Sequence, residues 1–177
     1  MGDVPLHPAV VHLPLGLAIL MPLLALVFTL AWWKGWASRR AWALVFGLQL
    51  LLVGAGLFVK QTGEREARNA RRVLVRGTIH PHSQAADYFV WASGATLLIA
   101  GLGLVLRERR ARWAAVGATA ATFAVAAIAV RVGHLGGELV YVKGAATVYT
   151  ADSTAALQRA AAAQPAAPDT PRGPPRR

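Results

Sequence analysis

Four long apolar stretches, separated by short polar ones, dominate the hydropathy pattern of the chain. The first, residues 9–33, contains no charged side chain and exceeds the ~20 residues that cross a bilayer as a helix. The other three cover residues 41–59, 85–106 and 113–130. This pattern predicts an all-α fold, an integral membrane four-helix bundle with both termini on the same side of the membrane.

The segments outside these stretches differ in composition. Residues 63–76 combine arginine with glutamate at helical spacing, which predicts a short helix lying on the membrane surface. From residue 146 onward the chain is rich in Ala, Pro and Arg, so residues 146–177 are predicted to form a disordered tail. Residues 1–145 would then make up one four-helix transmembrane domain.

Composition supports a membrane protein and excludes several cofactors. The chain is 55% hydrophobic, and it contains no cysteine, which excludes disulfides, thiolate ligands, iron–sulfur clusters and covalent haem attachment. Its net charge of +11 is that of many nucleic-acid-binding proteins. The cations, however, fall between the apolar stretches and in the tail, and they form no continuous patch with interleaved aromatics. Nucleic-acid binding is therefore not expected.

All five histidines lie at the ends of apolar stretches. With four crossings, His7, His12, His80, His82 and His134 must all lie on one side of the membrane. A histidine at the edge of a membrane helix is costly without a partner, so each such residue is a candidate for a functional site. The five histidines together are the main candidate site of the chain.

The distribution of charge indicates which side this is. The two connections on the opposite side contain a single acid, Glu108, and seven cations: Lys34, Arg39, Arg40, Arg107, Arg109, Arg110 and Arg112. The positive-inside rule then directs the histidines to the outer face of the membrane. The basic residues 60–76, on the histidine side, favour the opposite orientation.

Imidazoles on facing helices of a bundle suit axial ligation of a haem iron. We expect His12 and His134 to be the principal ligands of a haem b. His7 and His82, or His80 in place of His82, would form a second pair or support the first.

Cations near the water would neutralise the haem propionates. Arg76, Arg131 and Lys143 lie on the histidine side and are placed for this role. They are therefore candidate cofactor-binding residues.

Two other uses of the histidines stay open. A non-haem ion such as copper or zinc would take His80 and His82 together with His7 or His12, and His134 is a further candidate ligand. Alternatively no cofactor binds, and each histidine caps a helix or donates a hydrogen bond to a backbone carbonyl.

Two motifs resemble those of a known family. The opening HPxxVHxP at residues 7–14, the four spans and the ending GHLGGELVY at residues 133–141 resemble a family of small bacterial four-helix membrane proteins of unknown function. That family sometimes occurs beside or fused to Rieske-type redox modules. The resemblance covers about residues 5–145 and implies a bacterial inner membrane. The outer face, to which the positive-inside rule directs the histidines, would then be the periplasmic face. The resemblance also implies His7, His12, His134 and one of His80 or His82 as site residues.

Together these observations predict a membrane b-type cytochrome-like electron-transfer protein or subunit. The expected partners are the lipid bilayer and either redox subunits of a respiratory complex or a quinone, and an oligomer is left open. The alternatives are a cofactor-free structural or accessory subunit and a non-haem metal-binding membrane protein. No nucleophile–base pair or phosphate-binding loop is evident, so an electron-transfer subunit is favoured over a stand-alone enzyme.

Overall fold

A computed structural model of the protein describes residues 6–70, 77–146 and 155. These residues contain no β-strand. They form five α-helices: α1 (Leu6–Val10), α2 (His12–Trp33), α3 (Arg39–Ala70), α4 (His80–Val105) and α5 (Glu108–Tyr141). The predicted all-α fold is confirmed.

The four long helices form a ring. Helix α2 packs against α3 and α5, and α4 packs against the same two helices, so α2 and α4 are diagonal neighbours. The starts of α1 and α4 meet the ends of α3 and α5 at one end of the bundle. We call this the histidine end, after His7 and His82, and the opposite end the tryptophan end, after Trp32 and Trp42. The first and last described helices thus begin and end on the same side, as predicted.

Each long helix has the dimensions and surface of a membrane span. Four segments are long and apolar enough to cross a bilayer: Leu6–Trp33, which joins α1 to α2, then Arg39–Arg68, His80–Val105 and Glu108–Tyr141. Large apolar side chains cover their outer faces; Leu23 is 60% exposed and Leu98 is 73% exposed. Such a surface favours aggregation in water but matches the acyl chains of a bilayer.

Two helices extend well beyond the apolar stretches that predicted them. Helix α3 has 32 residues and α5 has 34. Charged residues with high helix propensity extend α3 past Val59 and begin α5, whereas the last turns of α5 continue through Gly133, Gly136 and Gly137. The segment predicted as a separate surface helix, residues 63–76, begins inside α3, and residues 71–76 lie outside the described residues. The predicted tail also lies outside them, apart from residues 146 and 155.

Prolines shape the first span. Pro14 has no N–H and cannot donate to the carbonyl of Val10, and the helix is interrupted one residue later at Val11. The bond that resumes the helix, from the Leu15 amide to the Val11 carbonyl, is long at 3.4 Å. Pro22 does not interrupt α2, which continues to Trp33. Helix α1 is therefore a short separate segment, and it contains His7.

Small side chains and buried hydrogen bonds hold the centre of the bundle together. Ala18, Ala25 and Ala115 are fully buried, which allows the helix backbones to approach closely. Between α3 and α4, the Gln49 Nε2 donates to the Ser93 carbonyl at 3.0 Å. Packing of small residues and interhelical hydrogen bonds replace the hydrophobic effect as the forces that associate helices in lipid.

Candidate functional site

The structure brings together two of the five histidines. His7, on α1, and His82, in the first turn of α4, are half-buried, and their ring centres lie 6.5 Å apart with the ring planes at 85°. His12, His80 and His134 are exposed. All five histidines lie toward the same end of the bundle, but only His7 and His82 face each other inside it.

The His7 imidazole is held by helix α3. Its Nδ1 lies 3.0 Å from the Val59 carbonyl oxygen and 3.3 Å from the Thr62 hydroxyl, which itself donates to the same carbonyl at 2.8 Å. A carbonyl oxygen can only accept, so the Nδ1 of His7 carries a proton and donates it. The neutral ring then presents an unprotonated Nε2.

The His82 imidazole is held in the same way by helix α5. Its Nδ1 donates to the Val132 carbonyl oxygen at 3.2 Å, which again leaves the Nε2 as the atom with a lone pair. Metal-binding histidines almost always use their second ring nitrogen to donate to a carbonyl or carboxylate, because this bond fixes the tautomer and the ring orientation. His7 and His82 both have this second-nitrogen arrangement.

Glycines make room for both rings. A Cβ atom on Gly63 would lie 2.9 Å from Cε1 of His7, and one on Gly136 would lie 3.2 Å from Cε1 of His82. Any larger residue at Gly63 would displace the His7 ring, and at Gly136 the ring or the helix would have to shift by a few tenths of an ångström. The positions of the two imidazoles therefore depend on the space left by Gly63 and Gly136 as well as on the hydrogen bonds.

Two ion pairs lie toward the histidine end of the bundle. The Lys60 Nζ lies 2.8 Å from a carboxylate oxygen of Asp87, which links α3 to α4. The Lys143 Nζ lies 3.3 Å from a carboxylate oxygen of Glu138. A cavity of about 230 Å³ borders His82, and Glu138 and Lys143 both line it.

The three predicted propionate partners have different positions. Lys143 lines the cavity beside His82 and is half-exposed, and Arg131 is exposed on α5. Arg76 lies outside the described residues. Of the three, Lys143 is the cation that the structure brings next to the imidazole pair.

The donor set favours a ligand that needs two protein donors. Within residues 6–70 and 77–146, no group of three or more His, Asp or Glu side chains is arranged to hold a metal ion. Structural zinc takes four protein ligands and catalytic zinc takes three. A haem iron needs only two axial ligands, because the porphyrin supplies the other four nitrogens.

Comparison with known proteins gives a family. Residues 3–149 match the family described as "Predicted membrane protein (DUF2231)". The chain belongs to this family. No curated protein and no solved structure matches the chain. Membership confirms the predicted class, a membrane protein family of unknown function, and it agrees with the four spans of the bundle.

Four residues that shape the site have side chains without functional groups, so the sequence did not indicate them as site residues. The Val59 and Val132 carbonyls hold the imidazoles, yet every residue type offers a carbonyl. Gly63 and Gly136 act through the space they leave. The signal that could have found them is positional: in each half of the chain, a valine and a glycine four residues later follow the histidine at nearly the same distance.

Proposed function

We propose that this membrane protein is a b-type cytochrome-like electron-transfer protein or subunit, with His7 and His82 as the axial ligands of its haem. The observation that carries the proposal is the paired geometry of the two rings, each anchored through Nδ1 and each with its Nε2 available. A haem iron with two imidazole ligands supplies reversible one-electron chemistry. The chain's own residues supply the ligands, their orientation and the charged surroundings.

The closeness of the two rings supports one shared ligand. The ring centres of His7 and His82 are 6.5 Å apart. The two imidazoles also come from diagonally opposed helices of the bundle, α1–α2 and α4. Helix bundles build cofactor sites from side chains on facing helices in this way.

The space beside the pair sets a condition on the proposal. The cavity next to His82 holds about 230 Å³, below the ~300–1,000 Å³ of typical drug-sized ligand sites. A macrocycle therefore requires helix α1 to move outward from α4. We propose the interruption at Val11, where Pro14 removes a helix hydrogen bond, as the hinge of this movement.

The first test is an optical spectrum of the detergent-purified protein, oxidised and then reduced with dithionite, with a pyridine haemochrome assay. We expect near-stoichiometric haem b, lost in His7→Ala and in His82→Ala. His80→Ala and His134→Ala are matched controls, because both residues are exposed at the same end, and they should keep the haem. A featureless spectrum from wild-type protein expressed with ample haem would rule out the proposal. Loss of haem in His12→Ala and His134→Ala alone would move the ligands to that other pair.

A cofactor-free structural or accessory role is the competing function, and one observation favours it. Both imidazoles already connect helices through their Nδ1 bonds, α1 to α3 and α4 to α5. In that case His7→Ala and His82→Ala would lower the thermal stability of a colourless protein. Metal analysis of the same sample would separate this role from that of a copper or zinc protein.

We further propose that the histidine end faces the periplasm of a bacterial inner membrane, where redox subunits or a quinone would meet it. The cations of the two short connections at the tryptophan end support this orientation through the positive-inside rule. The chain has no cysteine, so single cysteines at His134 and Trp36, both exposed, can report it. We expect a membrane-impermeant thiol reagent to label His134→Cys, and not Trp36→Cys, in intact spheroplasts. The reverse pattern would invert the orientation.

A further inference from the structure

The two halves of the chain build the two halves of the site with equivalent parts. In the first half, His7 donates to the Val59 carbonyl at 3.0 Å and packs on Gly63. In the second half, His82 donates to the Val132 carbonyl at 3.2 Å and packs on Gly136. In both cases the glycine follows the valine by four residues, one turn of helix closer to the end of the bundle.

The buried positions of the helices follow the same correspondence. The buried residues of α3, except Thr62, have buried counterparts 73 residues later in α5: Trp42 and Ala115, Val45 and Ala118, Gln49 and Thr122, Leu52 and Val125, Gly56 and Ala129, and Val59 and Val132. Four of the seven buried residues of α2 have a buried counterpart 75 residues later in α4, namely Pro14 and Phe89, Ala18 and Ser93, Met21 and Thr96, and Ala25 and Ala100, whereas Pro22, Thr29 and Trp32 do not. His7 and His82 are also 75 residues apart.

Helical periodicity alone does not produce this agreement. Any two helices with one buried face match at some register, because buried positions recur every three or four residues. Here the register that aligns the buried faces of α3 and α5 is also the register that aligns the two carbonyls and the two glycines. Side-chain types differ at most of the paired positions, so the correspondence appears in burial and geometry rather than in sequence identity.

We infer that the chain is a tandem repeat of one helical hairpin, α1–α3 followed by α4–α5, and that Gly63 and Gly136 are the matched positioning residues of its two histidines. Parallel repeats of this kind are related by an axis along the membrane normal. Each repeat contributes one imidazole, one carbonyl and one glycine, and a complete site needs both repeats. The repeat is inferred from burial and hydrogen bonds. That both imidazoles bind one haem iron between the repeats rests on the proposed function.

The test compares alanine substitutions at occupied and open glycines. Gly63→Ala would bring a methyl group against His7, and Gly136→Ala would bring one against His82. Gly54→Ala, in the same helix as Gly63, and Gly137→Ala, next to Gly136, are matched controls, because a Cβ at either position meets no atom within 4 Å.

The first readout needs no cofactor. In nitrogen NMR of histidine-labelled, haem-free protein in detergent, we expect two of the five histidines to show the Nδ1–H tautomer. Gly63→Ala should shift one of these two signals, Gly136→Ala should shift the other, and the control variants should shift neither. Equal shifts in the controls, or a response to Gly63→Ala without one to Gly136→Ala, would overturn the matched roles.

The second readout uses the loaded protein. Substitution of groups that orient a metal-binding histidine typically lowers affinity about 10–100-fold. We expect a loss of haem affinity of about 10-fold or more in Gly63→Ala and in Gly136→Ala, of similar size in both. If wild-type protein binds no haem, the proposed function fails, while the NMR comparison still tests the repeat.

A double substitution guards against variants that simply do not fold. In a His7→Ala background the imidazole that Gly63→Ala would displace is absent, so Gly63→Ala should then be no more harmful than Gly54→Ala. The same relief is expected for Gly136→Ala in a His82→Ala background. If Gly63→Ala and Gly136→Ala stay harmful without the imidazoles, the two glycines act on helix packing and not on the histidines.

Discussion

The two ends of the bundle use polar groups in opposite ways. At the tryptophan end, three donors from three helices converge on the Glu108 carboxylate: the indole N–H of Trp32 at 2.9 Å, and the guanidinium groups of Arg39 and Arg112, each at 3.1 Å. The second buried indole, that of Trp42, donates to the Ala100 carbonyl at 3.0 Å. Both buried indoles at this end therefore have acceptors on other helices.

At the histidine end, each imidazole uses one of its two nitrogens. The Nδ1 atoms of His7 and His82 donate to backbone, and neither Nε2 has a hydrogen-bond partner among the described residues. A ring nitrogen that is oriented but unused can bind a metal or accept a proton, whereas a satisfied indole has only a structural role. The polar groups of the tryptophan end therefore hold helices together, whereas the histidine end leaves two imidazole Nε2 atoms able to bind a ligand. Under the proposed function, substitutions at the two ends should accordingly separate stability from haem binding.

The largest loss of stability should come from the tryptophan end. Trp42 is 1% exposed, and Trp42→Ala would leave a cavity and remove the interhelical hydrogen bond to the Ala100 carbonyl. Removing a buried tryptophan side chain typically costs about 3–5 kcal/mol. We expect thermal unfolding in detergent to shift to a clearly lower temperature, while the folded fraction keeps its haem at the wild-type stoichiometry. Haem loss from protein that is still folded would contradict the division between the two ends.

Glu108→Gln should have the next largest effect. The amide keeps the shape of the carboxylate but loses the charge that attracts Arg39 and Arg112. We expect a smaller decrease in melting temperature than for Trp42→Ala, and one that shrinks as salt is added, because salt already screens exposed ion pairs. Thermal scans at low and high ionic strength check this, and Arg109→Gln, which neutralises a neighbouring cation in the same helix turn, is the control.

Gln49→Leu tests the region between the two ends. This substitution removes the bond from Gln49 to the Ser93 carbonyl, but it also removes a buried amide oxygen that has no partner among the described residues. Interhelical hydrogen bonds in membranes contribute about 0.6 kcal/mol on average. We expect destabilisation below about 1 kcal/mol and unchanged haem content, measured by unfolding in mixed detergent. A loss of several kcal/mol would mean that the centre, and not the tryptophan end, holds the bundle together.

The smallest effect should come from His134→Ala. His134 is exposed on α5, and substitutions at exposed positions usually change stability by no more than about 0.5 kcal/mol. We expect wild-type haem content and melting temperature. A colourless His134→Ala variant would show that the exposed histidine takes part in ligand binding, and the histidine end would then have a different functional pair.

Much of the fold was predictable because lipid imposes a simple constraint. A stretch such as residues 9–33, apolar and uncharged, has few alternatives to a spanning helix, and four such stretches fix the relative sides of all the histidines. The ends of the helices were harder to predict. Hydropathy indicates the part of a helix that lies in lipid, whereas the backbone hydrogen bonds of α3 and α5 continue through charged residues.

The composition of the site was only partly predictable. Successive residues of a helix turn by about 100°, so His80 and His82 project about 160° apart, and sequence alone does not give the helix rotation. His82 faces His7 because α4 packs on α5 with Val132 and Gly136 beneath the ring. From sequence we predicted His12 and His134 as the principal ligands and His7 and His82 as a second pair. The angle at which each helix packs, which brings His7 and His82 together, cannot be read from local spacing.

The position of the imidazole pair along α1 and α2 has an electrical consequence. At 1.5 Å per residue, His7 lies about 37 Å along the helix from Trp32, which exceeds the ~30 Å thickness of the hydrocarbon layer. With the tryptophans at one interface, the imidazoles lie at the other. With the proposed haem at the pair, an electron that arrives from the same side would cross almost none of the membrane potential. Delivery from the far side would move a charge through nearly the whole field, at about 2.3 kcal/mol per 100 mV. Redox exchange at the near face would therefore proceed at the same driving force in an energised and in a de-energised membrane.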